Sequence, residues 1–257
     1  MRRAQEADKA SAPYTRSANE LLTYLASQGA TDGHPLFAVR SIKRRLLIVI
    51  AADKGLAGAY NTNVLKQYVR ELKSDDDAGV KNTTIAVGRR AAQFATRLKD
   101  TDITGIYEDV PDQPSGSMLR AVLDTARQQF IDGEVDAVDV VYTRFISSLS
   151  QQVETMRVLP AGFEATAVSK SVQDAKFEPN VATVLNSAAY RLVEAQIFQA
   201  LLDARASEHS MRMVAMKSAT DNASDLVDDL TLEMNKQRQS AITQELAEIS
   251  GGVEAMN

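Results

Sequence analysis

The sequence predicts an α/β domain joined to a long helical shaft, and three observations predict it. Strand-like and helix-like segments alternate from Leu46 to Leu159, opening with the apolar run Leu46-Leu47-Ile48-Val49-Ile50-Ala51-Ala52. Such a run suits a parallel strand covered on both faces. No Pro or Gly interrupts the chain between Pro179 and Gly251. At about 1.5 Å per residue, those roughly 70 residues make a helix on the order of 100 Å long. Ordinary globular helices average about a dozen residues, so much of this one must project or pair with another helix. Finally, residues 1–28 read as helix, Ala-rich and carrying Leu21, Leu22 and Leu25 near the end, with an interruption at Pro13 where a backbone donor is lost.

The elements follow in order. Gly29, Gly33 and Pro35 mark a loop. Leu46 to Asp53 is the first strand, and Lys54-Gly55-Leu56-Ala57-Gly58 a tight turn. From Asn61 a helix carries Val64, Leu65, Tyr68, Val69 and Leu72 at helical spacing. Ser74 to Asn82 is polar and reads as a loop. Thr84 to Gly88 is a second strand, Ala91 to Leu98 a second helix and Ile103 to Tyr107 a third strand. Ser117 to Ile131 is a helix with Leu119, Val122, Leu123, Ala126 and Phe130 on its apolar side. Ala137 to Phe145 is a fourth strand and Val153 to Leu159 a fifth, ending at Pro160. Alternation of this kind builds a small, mostly parallel sheet with covering helices. The expected divisions are an N-terminal helix at 1–28, an α/β domain at 41–160 and the long helix at 179–257.

Phase divides the long helix. At 100° per residue, Met216, Ala219, Ala223, Leu226, Val227, Leu230, Met234 and Ala241 fall within an arc roughly 100° wide, with Asp221, Asp225, Asp228, Asp229 and Glu233 on the other side. That is a stripe for one helical partner with a solvated acidic back. Ile242, Leu246, Ile249 and Val253 form a second stripe turned by about 120°, so the helix changes partner toward its tip. Leu192, Val193, Ile197, Phe198, Leu201 and Leu202 cover a wider arc, as expected of a base lying between the α/β domain and another helix.

Composition narrows the function. Of the 257 residues 44% are hydrophobic, enough for a real core. The net charge of −5 argues against a surface that neutralises phosphates, so no nucleic acid partner is expected. With no cysteine there is neither a disulfide framework nor a thiolate metal site, and a reducing compartment is expected. No apolar run reaches membrane-spanning length, and Met1 to Glu6 lacks the apolar core of a signal peptide; any membrane association is expected to go through a partner.

Candidate chemistry is sparse. The turn from Asp53 to Asn61 lies between strand and helix, where open α/β folds bind phosphate. It has neither G-x-G-x-x-G nor Walker spacing, which favours a plain tight turn. His34 and His209 have no companion at metal-ligand spacing. Asp75-Asp76-Asp77 lacks the Gly and distal Glu of a calcium loop and reads as a solvated loop. Arg40, Lys43, Arg44 and Arg45 flank the first strand, either as a solvated edge or as a contact for an acidic partner. No catalytic residues, cofactor-binding residues or metal ligands are assigned.

Four stretches resemble the gamma subunit, the central rotor stalk, of the F-type ATP synthase. The most specific comprises Ala206-Ser207-Glu208-His209, Arg212-Met213-Val214-Ala215-Met216-Lys217-Ser218-Ala219-Thr220-Asp221-Asn222 and Asn235-Lys236-Gln237-Arg238-Gln239-Ser240-Ala241-Ile242-Thr243-Gln244-Glu245. The others are Asp53 to Asn63, Tyr142 to Pro160, and Arg2-Arg3-Ala4-Gln5 through Pro13-Tyr14. The resemblance implies an α/β fold plus a long antiparallel coiled coil: the terminal helices form the shaft, and a small Rossmann-like parallel-sheet domain forms the foot. It implies one copy per complex, seated in a hexamer of alpha and beta subunits and resting on the epsilon subunit and the membrane c-ring, peripheral to the cytoplasmic face of a bacterial plasma membrane. Proton flow would turn the shaft, and the chain itself would make or break no bond.

By position, Arg238 and Gln239 match a pair that contacts the catalytic subunits, as do Ile242, Glu245, Leu246 and Ile249 in the tip. Glu194, in Val193-Glu194-Ala195-Gln196, matches a segment near the rotor ring. Departures include Lys54 and Ala57, where the family commonly has Arg and Cys, and the Asn186-Ser187-Ala188-Ala189 stretch, less apolar than the family's. Without a cysteine pair, chloroplast-type redox control is not expected. Met1 aligns inside the family's first helix, so the shaft stripe from Met216 to Ala241 is expected to lack most of its partner helix and the isolated chain to be poorly soluble.

Overall fold

The computed structural model describes residues 17, 20–31, 33–99, 101–109, 111, 116–162, 166–174, 177–178 and 180–254. The chain divides into two compact units, Met1–Arg212 and Met213–Asn257.

In the first unit, residues 20–27 form helix α1; the remainder of the helix expected at the N-terminus lies outside the described residues. A single 3-10 turn, Pro35–Phe37, follows, with Nδ1 of His34 accepting from the N–H of Leu36 at 3.3 Å. His34 thus has a structural role at a helix cap. Then come β1 (Arg44–Ile50), α2 (Tyr60–Asp77), β2 (Lys81–Val87), α3 (Arg89–Ala95), β3 (Asp102–Tyr107), α4 (Gly116–Ile131), β4 (Ala137–Phe145), β5 (Gln151–Leu159), the short α5 (Lys170–Gln173) and α6 (Val181–Glu254).

The five strands lie in the order β3-β2-β1-β4-β5. All neighbours are parallel except β4 and β5, which pair antiparallel. Alternation along β1 explains the layering. Leu46, Ile48 and Ile50 face a core shared with Val122, Leu123 and Phe130 of α4 and Val193, Ile197 and Leu201 of α6. Leu47, Val49 and Ala51 face the opposite core, with Val64 and Tyr68 of α2 and Ala91 and Ala92 of α3. Both faces are covered, and this is why β1 reads as an unbroken apolar run.

The base of α6 has two apolar neighbours, as the wide arc predicts. Val193, Ile197 and Leu201 pack on the sheet, while Leu185, Ala188 and Leu192 pack against Leu22 and Leu25 of α1. The segment around α5 straps α1 down: Ser169 N–H donates to Glu20 at 2.7 Å, and the Tyr24 hydroxyl donates to the Gln173 carbonyl at 3.2 Å.

Two expectations are corrected. Ser74 to Asn82 is not a loop, since α2 runs to Asp77 and β2 begins at Lys81. Nor are Arg45 and Asp75 solvated, being only 8% and 7% exposed. The Arg45 guanidinium donates to Asp139 on β4, to both oxygens of Asp75 at 3.1 Å and to Glu71 at 2.9 Å. Arg157 on β5 meets Asp139 as well, and Thr155 and Gln67 serve Glu71. This network fastens the end of α2 to three strands. The helix continues through the acidic triplet because Asp75 is paired underneath it.

The second unit is the remainder of α6. Its apolar residues are exposed in the chain: Leu226 58%, Val227 61%, Leu230 56% and Met234 61%.

Candidate functional site

The C-terminal edge of the sheet is where an open α/β fold accepts ligands, at the point where strand order reverses. Here that point lies between β1 and β4, because β2 and β3 extend the sheet on one side of β1 and β4 on the other. The residues leaving β1 shape it. The Asn61 side-chain oxygen accepts from the N–H of Ala52 at 3.0 Å and closes the turn onto the start of α2. Gly88, at φ 93°, lies so close to β1 that a Cβ there would sit 2.0 Å from the carbonyl oxygen of Ala51, so the neighbouring strand ends can converge only around glycine. One oxygen of Asp53 accepts from the N–H groups of Arg89 and Asp109, at 2.9 and 3.0 Å.

Helix α6 fills this point. Arg205 reaches the other oxygen of Asp53 at 3.1 Å and also Glu208 at 2.7 Å. Glu208, with its side chain 4% exposed, binds Arg212 at 2.7 Å, and Arg212 donates to the carbonyl of Gly55 at 3.3 Å. The Ser207 hydroxyl donates to the Thr143 carbonyl on β4 at 3.2 Å, and that of Ser210 to the Ser148 carbonyl at 2.6 Å. Tyr60 is buried beneath, with Ala52, Ala57 and Met211.

Burial sets the electrostatics. It opposes the charge on Arg205, but Glu208 and then Asp53 outweigh it and hold the guanidinium pKa above its ordinary value. Burial also pushes Asp53 upward, yet the Arg89 N–H and the Arg205 guanidinium bring its carboxyl below the ordinary range. Burial, reinforced by the charge of Glu208, drives the Tyr60 hydroxyl far above an ordinary phenol. Arg205 and Asp53 are thus each held in the ionised form by fixed partners. That suits a structural joint, whereas a proton-transfer site needs a group poised near the working pH. Among the described residues no cluster of three or more His, Asp or Glu side chains is placed to hold a metal.

The other candidate residues lie elsewhere. Arg238, Gln239, Ile242, Glu245, Leu246 and Ile249 are all exposed on the second unit of α6. At 100° per residue these six share one side of the helix, within an arc of about 120°. Glu194 belongs to the first unit, with its side chain 17% exposed and paired with Arg191 at 2.7 Å. The six therefore form one face, and Glu194 is not part of it. Arg205, Glu208 and Arg212 carry no role that the sequence alone assigns. The available signal was three charged residues at helical spacing, the first of them amid apolar Leu201, Leu202 and Ala204, which marks a buried ionic face.

The ATP synthase family profile matches residues 1–256. The ATP synthase gamma chain of Staphylococcus epidermidis strain RP62A is 36% identical over 257 residues, all of this chain and 89% of that protein. That of Stenotrophomonas maltophilia strain R551-3 is 38% identical over the same shares. Among solved structures, a chain of the Euglena gracilis mitochondrial ATP synthase (OSCP/F1/c-ring) has a TM-score of 0.62 at 19% identity, over 99% of this chain and 94% of that one. A chain of the Tetrahymena thermophila mitochondrial ATP synthase central stalk and c-ring has a TM-score of 0.57 at 19% identity, over 84% and 99%. At such identities the likeness is one of fold, while the match over the full chain settles the family: this chain belongs to the ATP synthase gamma chains.

Proposed function

We propose that the chain is the rotating central stalk of a proton-translocating F-type ATP synthase, and that it couples proton flow through a membrane ring to ATP synthesis or hydrolysis without chemistry of its own. One observation carries this reading. A helix rooted in a buried ionic seat at Arg205–Arg212 continues through residues whose apolar side chains are exposed, among them Leu226, Leu230, Ile242, Leu246 and Ile249. Exposed apolar stripes of that length call for partners. The partners in this reading are the chain's own N-terminal helix along the stripe from Met216 to Ala241, the alpha and beta subunits around the shaft, and the epsilon subunit and c-ring at the foot, with one copy of this chain per complex. Arg238, Gln239, Ile242, Glu245, Leu246 and Ile249 face the catalytic subunits, and Glu194 faces the rotor ring. Among the described residues no helix is long and apolar enough to cross a membrane. In this reading the chain is attached peripherally, through the complex, on the cytoplasmic face of a bacterial plasma membrane.

The decisive experiment is co-purification of the chain with the alpha–beta hexamer. Stable one-to-one incorporation with stimulated ATPase activity is expected, and a chain that fails to enter the hexamer overturns the proposal. A nucleotide-binding α/β enzyme is the competing reading. It is disfavoured because Arg205, Ser207 and Glu208 occupy the crevice such an enzyme needs; nucleotide binding by the isolated chain would revive it.

A further inference from the structure

The polar contacts of α6 at the sheet edge are distributed in an unusual way around the helix. Taking 100° per residue, Arg205, Glu208 and Arg212 lie within an arc of about 60°, and Ser207 and Ser210 within another of about 60°, with the two arcs roughly 160° apart. The first arc is held by the turn after β1, through Asp53 and the Gly55 carbonyl. The second is held by the end of β4 and the following loop, through the Thr143 and Ser148 carbonyls. Gln151 adds a bond to the Ser210 hydroxyl at 3.4 Å. The helix is therefore held from two nearly opposite sides within eight residues, by directional bonds.

Direction matters here. Apolar packing holds a helix against a sheet but is non-directional, so it resists rolling about the helix axis weakly. A hydrogen bond weakens steeply once its angle is lost, so it resists sideways displacement of the group it holds. Contacts on one side alone give a single off-axis restoring force. Contacts on opposite sides give two opposed forces, a couple, which is the arrangement that resists twist. Burial reinforces the first side: the Arg205 and Glu208 side chains are 9% and 4% exposed, so water cannot readily substitute for a bond lost in rolling.

We infer that Arg205–Arg212 is a two-sided grip that fixes the rotational position of α6 in the foot, with Arg205 and Ser210 as positioning residues for torque transmission. The inference rests on the stalk reading and adds to it where torque is carried. It predicts that weakening either side softens the rotor without detaching the helix, because the apolar seat through Val193, Ile197 and Leu201 is untouched.

The test uses the assembled complex, with the hexamer immobilised and a probe on the foot, and reads torsional stiffness from the angular fluctuations of the stalled rotor. One variant carries Arg205→Met and Arg212→Met, and the other Ser207→Ala and Ser210→Ala. Tyr68→Phe is the control, since it loses the 2.8 Å bond to Thr84, away from α6. Stiffness is expected to fall by roughly half in each double variant, as each removes one side of the couple, and to stay at the wild-type value in Tyr68→Phe. Double variants as stiff as the wild type, or a Tyr68→Phe rotor softened equally, overturn the inference. Should a double variant fail to assemble, the single changes Arg212→Met and Ser210→Ala are read in its place by the same criterion. A wild-type chain that does not enter the hexamer or turn there sinks the stalk reading itself, a result separate from a rotor that turns with the grip removed at full stiffness.

Discussion

Arg45→Met removes the cation on which three carboxylates converge and leaves a flexible side chain in its slot. The losses are unequal. Glu71 keeps Thr155 and Gln67, and Asp139 keeps Arg157. Asp75 loses both bonds that Arg45 makes to it, at a site where its own side chain is 10% exposed. Deleting one partner of a buried ion pair costs about 3–5 kcal/mol. With two of the three carboxylates still served, the low end, about 3 kcal/mol, is expected. For a domain of this size, with a urea dependence of about 2–3 kcal/mol per molar, the unfolding midpoint should fall by about 1 M.

The pH dependence gives a second check on the same variant. Burial already holds the Asp75 carboxyl above its ordinary value, despite the opposing pull of Arg45; without Arg45 it rises further. A carboxyl whose folded pKa exceeds its unfolded value binds its proton more tightly when folded, so acidification stabilises the fold through that window. The deficit of the variant relative to the wild type should therefore shrink as pH falls from neutrality toward about 4, the ordinary carboxylate value. Urea unfolding of the full chain, followed by circular dichroism at several pH values, measures both effects. A loss below about 1 kcal/mol, as for an exposed pair, or a deficit that grows on acidification, would show that Arg45 is not the buried counter-charge of Asp75.

Three further outcomes are expected. Gly88→Ala places a Cβ 2.0 Å from a backbone oxygen at φ 93° and should cost about 2–4 kcal/mol, whereas Gly33→Ala, at φ 81° with open space around it, should cost about 1 kcal/mol; thermal melts compare them. Asp53 has a depressed pKa, so its contribution is present above the ordinary value of about 4 and is lost as pH falls through its lower folded value; Asp53→Asn should be less stable at neutrality and show less acid-dependent loss, as read from melts across that range. Leu246, 60% exposed, should tolerate Leu246→Asp within about 0.5 kcal/mol in the isolated chain, while the affinity for the alpha–beta hexamer falls by at least about tenfold in a pull-down titration.

What could be read from the sequence follows from the range of the forces involved. The strands were legible because coverage on both faces leaves an apolar run, as in β1, and the base of α6 because burial against both the sheet and α1 widens its apolar arc. The Arg45 network was not legible. Its members stand 26, 30 and 94 residues apart, and a charged residue reads as solvent-facing until its partner is known. The same blindness turned the end of α2 into a loop, since Asp75-Asp76-Asp77 shows nothing locally of the guanidinium beneath it. At the site, the turn after β1 was recognised as a tight turn, but Arg205 lies 152 residues from Asp53, and only the fold brings them together. The six residues matched to the catalytic-subunit contact were found through resemblance; their common side of α6 follows from helical period, while their roles rest on the proposal.

The filling of the strand-reversal crevice by α6 has a consequence for what can regulate this domain. A covalently attached occupant is present at an effective concentration that dilution cannot lower, on the order of millimolar even for a flexible tether and higher for a helix already packed on the sheet. A metabolite competing for the crevice would first have to expel Arg205 and Glu208 from their buried partners. The domain keeps the crevice at which open α/β folds accept ligands, but that crevice is closed from within by its own chain, so a small molecule acting there has to displace a tethered competitor rather than enter an open site.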